Sequence, residues 1–192
     1  MKSDELESDW LALQKRSDCS FFLSWGWVSA WLDTVSVDLK PAVIRVWQEA
    51  DLVGTGLFVP GDIQRHIFIR SRAMFLNEYP FDGRNMVIEY NGLLAARGYE
   101  QTVYSEVVNY LAHTCKEYDE FCFGAIAYDE SFQYLSNSRP DGLNCIVAEE
   151  STTWQSRLDD RAQTNLPDKI LRIKPHGQTV TAIKLFDLSV GV

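Results

Sequence analysis

The chain has 192 residues, enough for one domain or one and a half, and 46% of them are hydrophobic, which excludes a disordered or low-complexity protein. Its formal net charge of −9 argues against a general nucleic-acid binder, because neutralising phosphates takes a clustered Lys/Arg surface. No stretch approaches the roughly 18 apolar residues of a membrane-spanning helix, and the acidic start Met1–Asp9 lacks the apolar run of a signal peptide, so a cytoplasmic location with reduced thiols is expected.

Leu6, Trp10 and Leu13 recur at helical spacing over Asp4–Lys15, with Ser3 as N-cap and acidic residues in the first turn. A second helix is expected after Ser24, where Trp25, Val28, Leu32 and Val35 form an apolar stripe that Trp27 and Trp31 widen. Large aromatics mostly supply buried area, so core packing is the first reading of these tryptophans, and a pocket lining the second. Ala42–Trp47 and Leu52–Val59 read as an antiparallel hairpin across Glu49–Asp51. Gly54 and Gly56 lie inside the second strand with no helix after them, so a bulge or tight packing is expected rather than a phosphate cradle. Pro60–Asp62 reads as a turn, His66–Arg70 and Arg72–Asn77 as two short strands, and Tyr79–Gly83 as a loop.

Met86–Tyr90 reads as a buried strand running into a turn at Asn91-Gly92. The helix Tyr99–Glu117 and the strand Phe121–Ala127 complete a β-α-β unit with parallel strands. A short helix at Asp129–Leu135 and strands at Leu143–Ala148 and Thr179–Asp187 follow. Residues 1–150 thus read as one mixed α/β domain and 151–192 as a divergent, poorly ordered tail.

Little supports a metal: His113 and Cys115 point to different faces of a helix, and His66 and His176 have no companion at ligand spacing. No G-x-S-x-G elbow occurs, and Cys122 lies in an apolar strand, where a free cysteine behaves as a small hydrophobe. The chemistry-bearing residues are Glu89, Tyr90 and Asn91, at a strand end before a helix, where open α/β sheets hold ligands. A carboxylate there can take a proton from an amine or hydroxyl, and a phenol can give one to a leaving thiolate. The same residues also suit a structural role, with Glu89 paired to Arg45 or Arg70 and Asn91 shaping the turn.

In order, Trp10–Leu13, Phe21–Trp27 with Trp31-Leu32, the hairpin Val43–Val46 and Leu52–Phe58, and Ile88-Glu89-Tyr90-Asn91-Gly92 with Leu93-Leu94 and its following helix form a pattern over roughly residues 5–150. This pattern resembles the N-terminal part of the GNAT-like acyltransferases of the CelD/BcsL type, which are related to the FemAB group. The resemblance implies a GNAT-like mixed sheet flanked by helices, with acetyl-CoA as acyl donor and no metal. It implies an amine or hydroxyl acceptor, a small molecule or a saccharide, with Glu89, Tyr90 and Asn91 as catalytic candidates. In such folds the donor pantetheine sits beside splayed strands, and backbone N–H groups at a helix start bind the pyrophosphate. The chain has no R/Q-x-x-G-x-G/A pyrophosphate loop. The expectation is therefore a truncated member lacking part of the donor site, completed by a second GNAT-like half or a homodimer partner, or else a catalytically inactive binding module.

Overall fold

A computed structural model describes residues 3–35, 39–79, 86–88, 90–127, 130–138, 140, 143–154 and 177–187. Two helices open the chain, α1 (Asp4–Gln14) and α2 (Trp25–Thr34), joined through a 3₁₀ turn at Phe21–Leu23. Ser3 caps α1 by accepting the Leu6 N–H at 3.1 Å, which satisfies one of the donors that a helix start leaves free. Trp10 and Trp31 are fully buried, and the Trp10 indole N–H donates to the Leu23 carbonyl at 2.8 Å. Truncating a buried tryptophan of this kind removes about 3–5 kcal/mol.

Among the described residues nine strands follow: β1 (Ala42–Gln48), β2 (Asp51–His66), β3 (Ile69–Leu76), β4 (Glu78–Tyr79), β5 (Met86–Val87), β6 (Leu94–Ala95), β7 (Glu120–Ala127), β8 (Leu143–Trp154) and β9 (Gly177–Asp187). Helix α3 (Glu100–Thr114) precedes β7 and α4 (Glu130–Asn137) follows it. The large sheet runs in the order β1-β2-β3-β7-β9-β8, with β6 attached to β2; β4 and β5 form a separate ribbon. Within the main order, β3–β7 is the parallel pairing and its neighbours are antiparallel. The molecule is thus a mixed sheet flanked by helices, as expected.

Three strand assignments differ from the sequence reading. The parallel partner of β7 is β3, not Met86–Tyr90; of that run, Met86 and Val87 pair with β4 outside the large sheet. Pro60–Asp62 does not turn the chain but lies within β2. From Val59 onward β2 pairs with β3 and no longer with β1, so a residue without an N–H is tolerated there. His66–Arg70 and Arg72–Asn77 are replaced by the end of β2, a turn at Ile67-Phe68, and one strand, β3. The boundary drawn at residue 150 falls inside β8, and β9 is hydrogen-bonded between β7 and β8. Most of the Tyr79–Gly83 loop, Glu89 and His176 lie outside the described residues.

Helix α3 lies over β2 because Gly54 has no side chain. A Cβ built there would stand 2.4 Å from both methyls of Val103. The tight packing expected of Gly54 is what the sheet uses. No helix among the described residues is long and apolar enough to cross a membrane.

Candidate functional site

The β3–β7 ladder is short. It covers Ala73–Phe75 against Glu120–Cys122, and then the two strands separate toward their C-terminal ends. The segment around Asn91 enters this opening. Its N–H donates to the Ala125 carbonyl at 3.0 Å, and Asn91 makes an isolated parallel bridge with Ile126 of β7. Its side chain spans the opening: Nδ2 donates to Leu76 O of β3 at 2.7 Å and to Gly124 O of β7 at 3.0 Å.

Asn91 Oδ1 accepts from the Gly92 N–H at 2.8 Å and from Asn77 Nδ2 at 2.9 Å. Both donors and both lone pairs of this buried amide therefore have partners within the chain. Asn77 is equally engaged. Its N–H donates to Leu57 O at 2.7 Å, its Oδ1 accepts the Leu57 N–H at 3.1 Å, and its Nδ2 also donates to Gly92 O at 3.0 Å. The two asparagines tie β2, β3, β7 and the Gly92 turn into one network.

Backbone strain gathers at the same place. Among the described residues, four non-glycine positions have left-handed φ, and three of them, Asn77 (46°), Tyr90 (49°) and Ala125 (53°), belong to this junction. Asparagine tolerates that region; tyrosine and alanine are held there at a cost on the order of 1 kcal/mol or more each. Such strain persists only where surrounding contacts enforce it, and it clusters at ligand sites.

Tyr90 is half-buried. Its carbonyl accepts the Ser20 hydroxyl at 3.0 Å, and its ring stacks on Phe22 with centroids 6.1 Å apart. Beside it lies a cavity of about 280 Å³ between the Ser17–Ser20 loop, the Tyr90–Leu93 segment, the start of α3 and helix α4. Gly92 borders it because a Cβ there would meet the Tyr104 hydroxyl at 2.9 Å; that hydroxyl accepts the Leu93 N–H at 3.2 Å. Asp18 and Glu100 supply carboxylates to the wall, and among the described residues none that lines it is Lys or Arg. Arg97, just outside, pairs with Asp18 at 2.7 Å. The cavity therefore suits amine and hydroxyl groups better than phosphates. Burial pushes the Cys19 thiol in this wall above its ordinary pKa; a backbone hydrogen bond opposes the shift and Asp18 adds to it. Cys19 is thus a neutral thiol near pH 7.

The structure brings Tyr90 and Asn91 to one junction. Glu89 lies outside the described residues, and the arginines weighed as its partners have other contacts. Arg45 pairs with Asp9 at 2.8 Å and Glu5 at 3.6 Å, while Arg70 Nε donates to Gln64 Oε1. Sequence reasoning missed two residues here. Asn77 carries the same signal as Asn91, an asparagine closing an apolar strand. Glu78 follows it, and its half-buried carboxylate lies so close over Gly124 that a Cβ there would be 2.4 Å from Oε2. Among the described residues no group of three His, Cys, Asp or Glu side chains could hold a metal ion.

A second hollow of about 520 Å³ lies between β1 and α3. Among the described residues its one basic side chain, Arg45, is already ion-paired, so it offers less chemistry than the Tyr90 cavity. No protein-family model, curated protein or solved structure matches this chain.

Proposed function

We propose that this chain is a GNAT-like acyltransferase domain, an acyl-CoA-dependent N- or O-acetyltransferase that moves an acetyl group from acetyl-CoA to an amine or hydroxyl acceptor. The observation that carries the reading is the opening between the parallel strands β3 and β7, with Glu78, Tyr90 and Asn91 gathered at it. The adjoining cavity, lined by carboxylates and hydroxyls, supports an acceptor that donates hydrogen bonds. Glu78 joins Glu89 as a candidate general base, Tyr90 is the candidate acid, and Asn91 is a positioning residue that holds the strands.

A second reading is favoured by two specific observations. Asn91 fills the opening that a pantetheine arm would share with the strand carbonyls, and Glu100 stands at the start of α3 where a pyrophosphate would need positive surroundings. On that reading the domain is catalytically silent and binds a small polar molecule or a second GNAT-like half.

Radiolabelled acetyl transfer to a panel of amines, aminosugars and polyols separates the two. Transfer that Glu78→Gln or Glu89→Gln abolishes in a folded variant supports the enzyme. Absence of transfer, with a polar ligand that protects Cys19 from alkylation, supports the silent domain.

A further inference from the structure

Strands β2 and β3 do not end at the edge of the core. β2 is buried from Leu52 to Val59, then becomes exposed over its last residues, and β3 begins exposed and becomes buried only at Ala73. The distal part of this hairpin is a two-stranded arm. Pro60 and Gly61 still lie opposite residues of β3 that pair with β7, and Ile63 packs on Ala73, Phe75 and Cys122; at about 3.3 Å per residue, the four steps from Ile63 to Ile67 carry the tip some 13 Å outward.

The tip is apolar. Ile67, Phe68 and Ile69 are 77%, 92% and 58% exposed. Turn chemistry does not account for them, because tight hairpin turns favour Asn, Gly and Asp. Nor is the tip loose. The Gln64 side chain donates to the carbonyls of His66 and Ile69 and accepts from Arg70 Nε at 3.0 Å, clipping the turn into one shape.

Charge surrounds the tip on one side of neutrality. From Ile63 to Arg72 the chain has three arginines and no carboxylate, within a protein of net charge −9. Arg65 is neutralised by Glu120 at the base of the arm. Arg70 contacts the neutral amide of Gln64 and keeps its charge, whereas Arg72 lies 5.2 Å over the Tyr118 ring at the base of the arm, opposite Asp62 and with the Asp119 carboxylate on its N–H. Arg70 stands roughly 7 Å along the strand from Phe68.

We propose that this arm docks the protein on an anionic lipid surface, with Ile67, Phe68 and Ile69 in the headgroup–acyl boundary and Arg70 on lipid phosphates. Interfacial anchors bury their apolar side chains about 5–10 Å deep, which matches the set-back of Arg70. A convex tip of three apolar side chains suits a fluid surface better than a second protein, which would need a complementary groove.

The test is flotation of the purified chain with phosphatidylcholine vesicles, with and without phosphatidylserine. The wild type should float with the phosphatidylserine vesicles and stay behind with the neutral ones. The double variant Ile67→Ser, Phe68→Ser should lose flotation while keeping its thermal midpoint, since both side chains are exposed. Arg70→Gln should lower partitioning about fivefold. Failure of the wild type to float, or equal flotation of the serine variant, overturns the proposal. So does self-association without vesicles that the serine variant abolishes, which would assign the tip to a second copy.

Discussion

Asn77 Nδ2 donates to Asn91 Oδ1 at 2.9 Å, joining the end of β3 to the segment that fills the opening between β3 and β7. Neither side chain has appreciable solvent exposure, 0% for Asn77 and 2% for Asn91, and every polar atom of both amides has a partner. A satisfied buried pair of this kind fixes a unique geometry, and its half-removal leaves orphaned groups. The shape of the candidate site therefore depends on two residues that need not touch a substrate.

Asn91→Ala takes a partner from the Leu76 and Gly124 carbonyls, the Gly92 N–H and one Nδ2–H of Asn77, and should cost about 3–4 kcal/mol in urea unfolding. Asn91→Asp puts a carboxylate against the Leu76 and Gly124 carbonyls and should be worse near neutral pH than in mild acid, where the protonated acid can donate. A loss of under about 1 kcal/mol for Asn91→Ala would mean that the network does not hold the opening.

Gly54→Ala should destabilise the fold by about 1–3 kcal/mol through overpacking against Val103. The compensating change Val103→Ala should recover part of that loss, so the double variant should be more stable than Gly54→Ala alone. Strict additivity in a double-mutant cycle would place the strain elsewhere.

Arg65 Nε meets Glu120 Oε1 at 2.7 Å, and Glu120 is buried while Arg65 is partly exposed. Arg65→Met leaves the carboxylate unpaired and should cost about 2 kcal/mol, whereas Arg65→Met with Glu120→Gln should cost less. Chemical denaturation of the two variants checks the order.

Burial raises the pKa of Cys19, Cys115 and Tyr118, with Asp18 adding to the first and Glu117 to the other two; Arg72 opposes the Tyr118 shift. Each folded-state value lies above its unfolded one, so the stability these groups contribute is intact below the unfolded thiol value near 8.5 and is lost as pH rises through the folded values. The unfolding midpoint should fall in the alkaline range and Cys19 should alkylate slowly near neutrality. Cys19 reacting at the rate of an unhindered thiol would contradict the buried setting of the cavity wall.

What the sequence made legible was local. Ser3, the Leu6–Trp10–Leu13 stripe and the β1–β2 hairpin follow from short-range periodicity and capping, and the structure has them. The partner of β7 was not legible, because the apolar run Met86–Tyr90 and the run Ala73–Leu76 are alike in composition and only pairing distant in sequence distinguishes them. Pro60-Gly61 carries a strong turn signal, yet continues β2 because that strand has lost its β1 neighbour there. The asparagine network was half visible. Asn91 stood out beside Gly92, while Asn77 looked like an ordinary strand end until its left-handed φ and its contact with Asn91 were seen together.

The most direct test of the acyltransferase account is the thermal midpoint of the purified chain with and without acetyl-CoA. A ligand that binds only the folded state stabilises it by about 2.7 kcal/mol at a hundredfold excess over Kd. The account predicts a clear rise that a dephosphorylated, pantetheine-free control nucleotide does not reproduce. An unchanged midpoint in a cooperatively folding chain would contradict it and leave the β3–β7 opening closed by Asn91 as a structural joint.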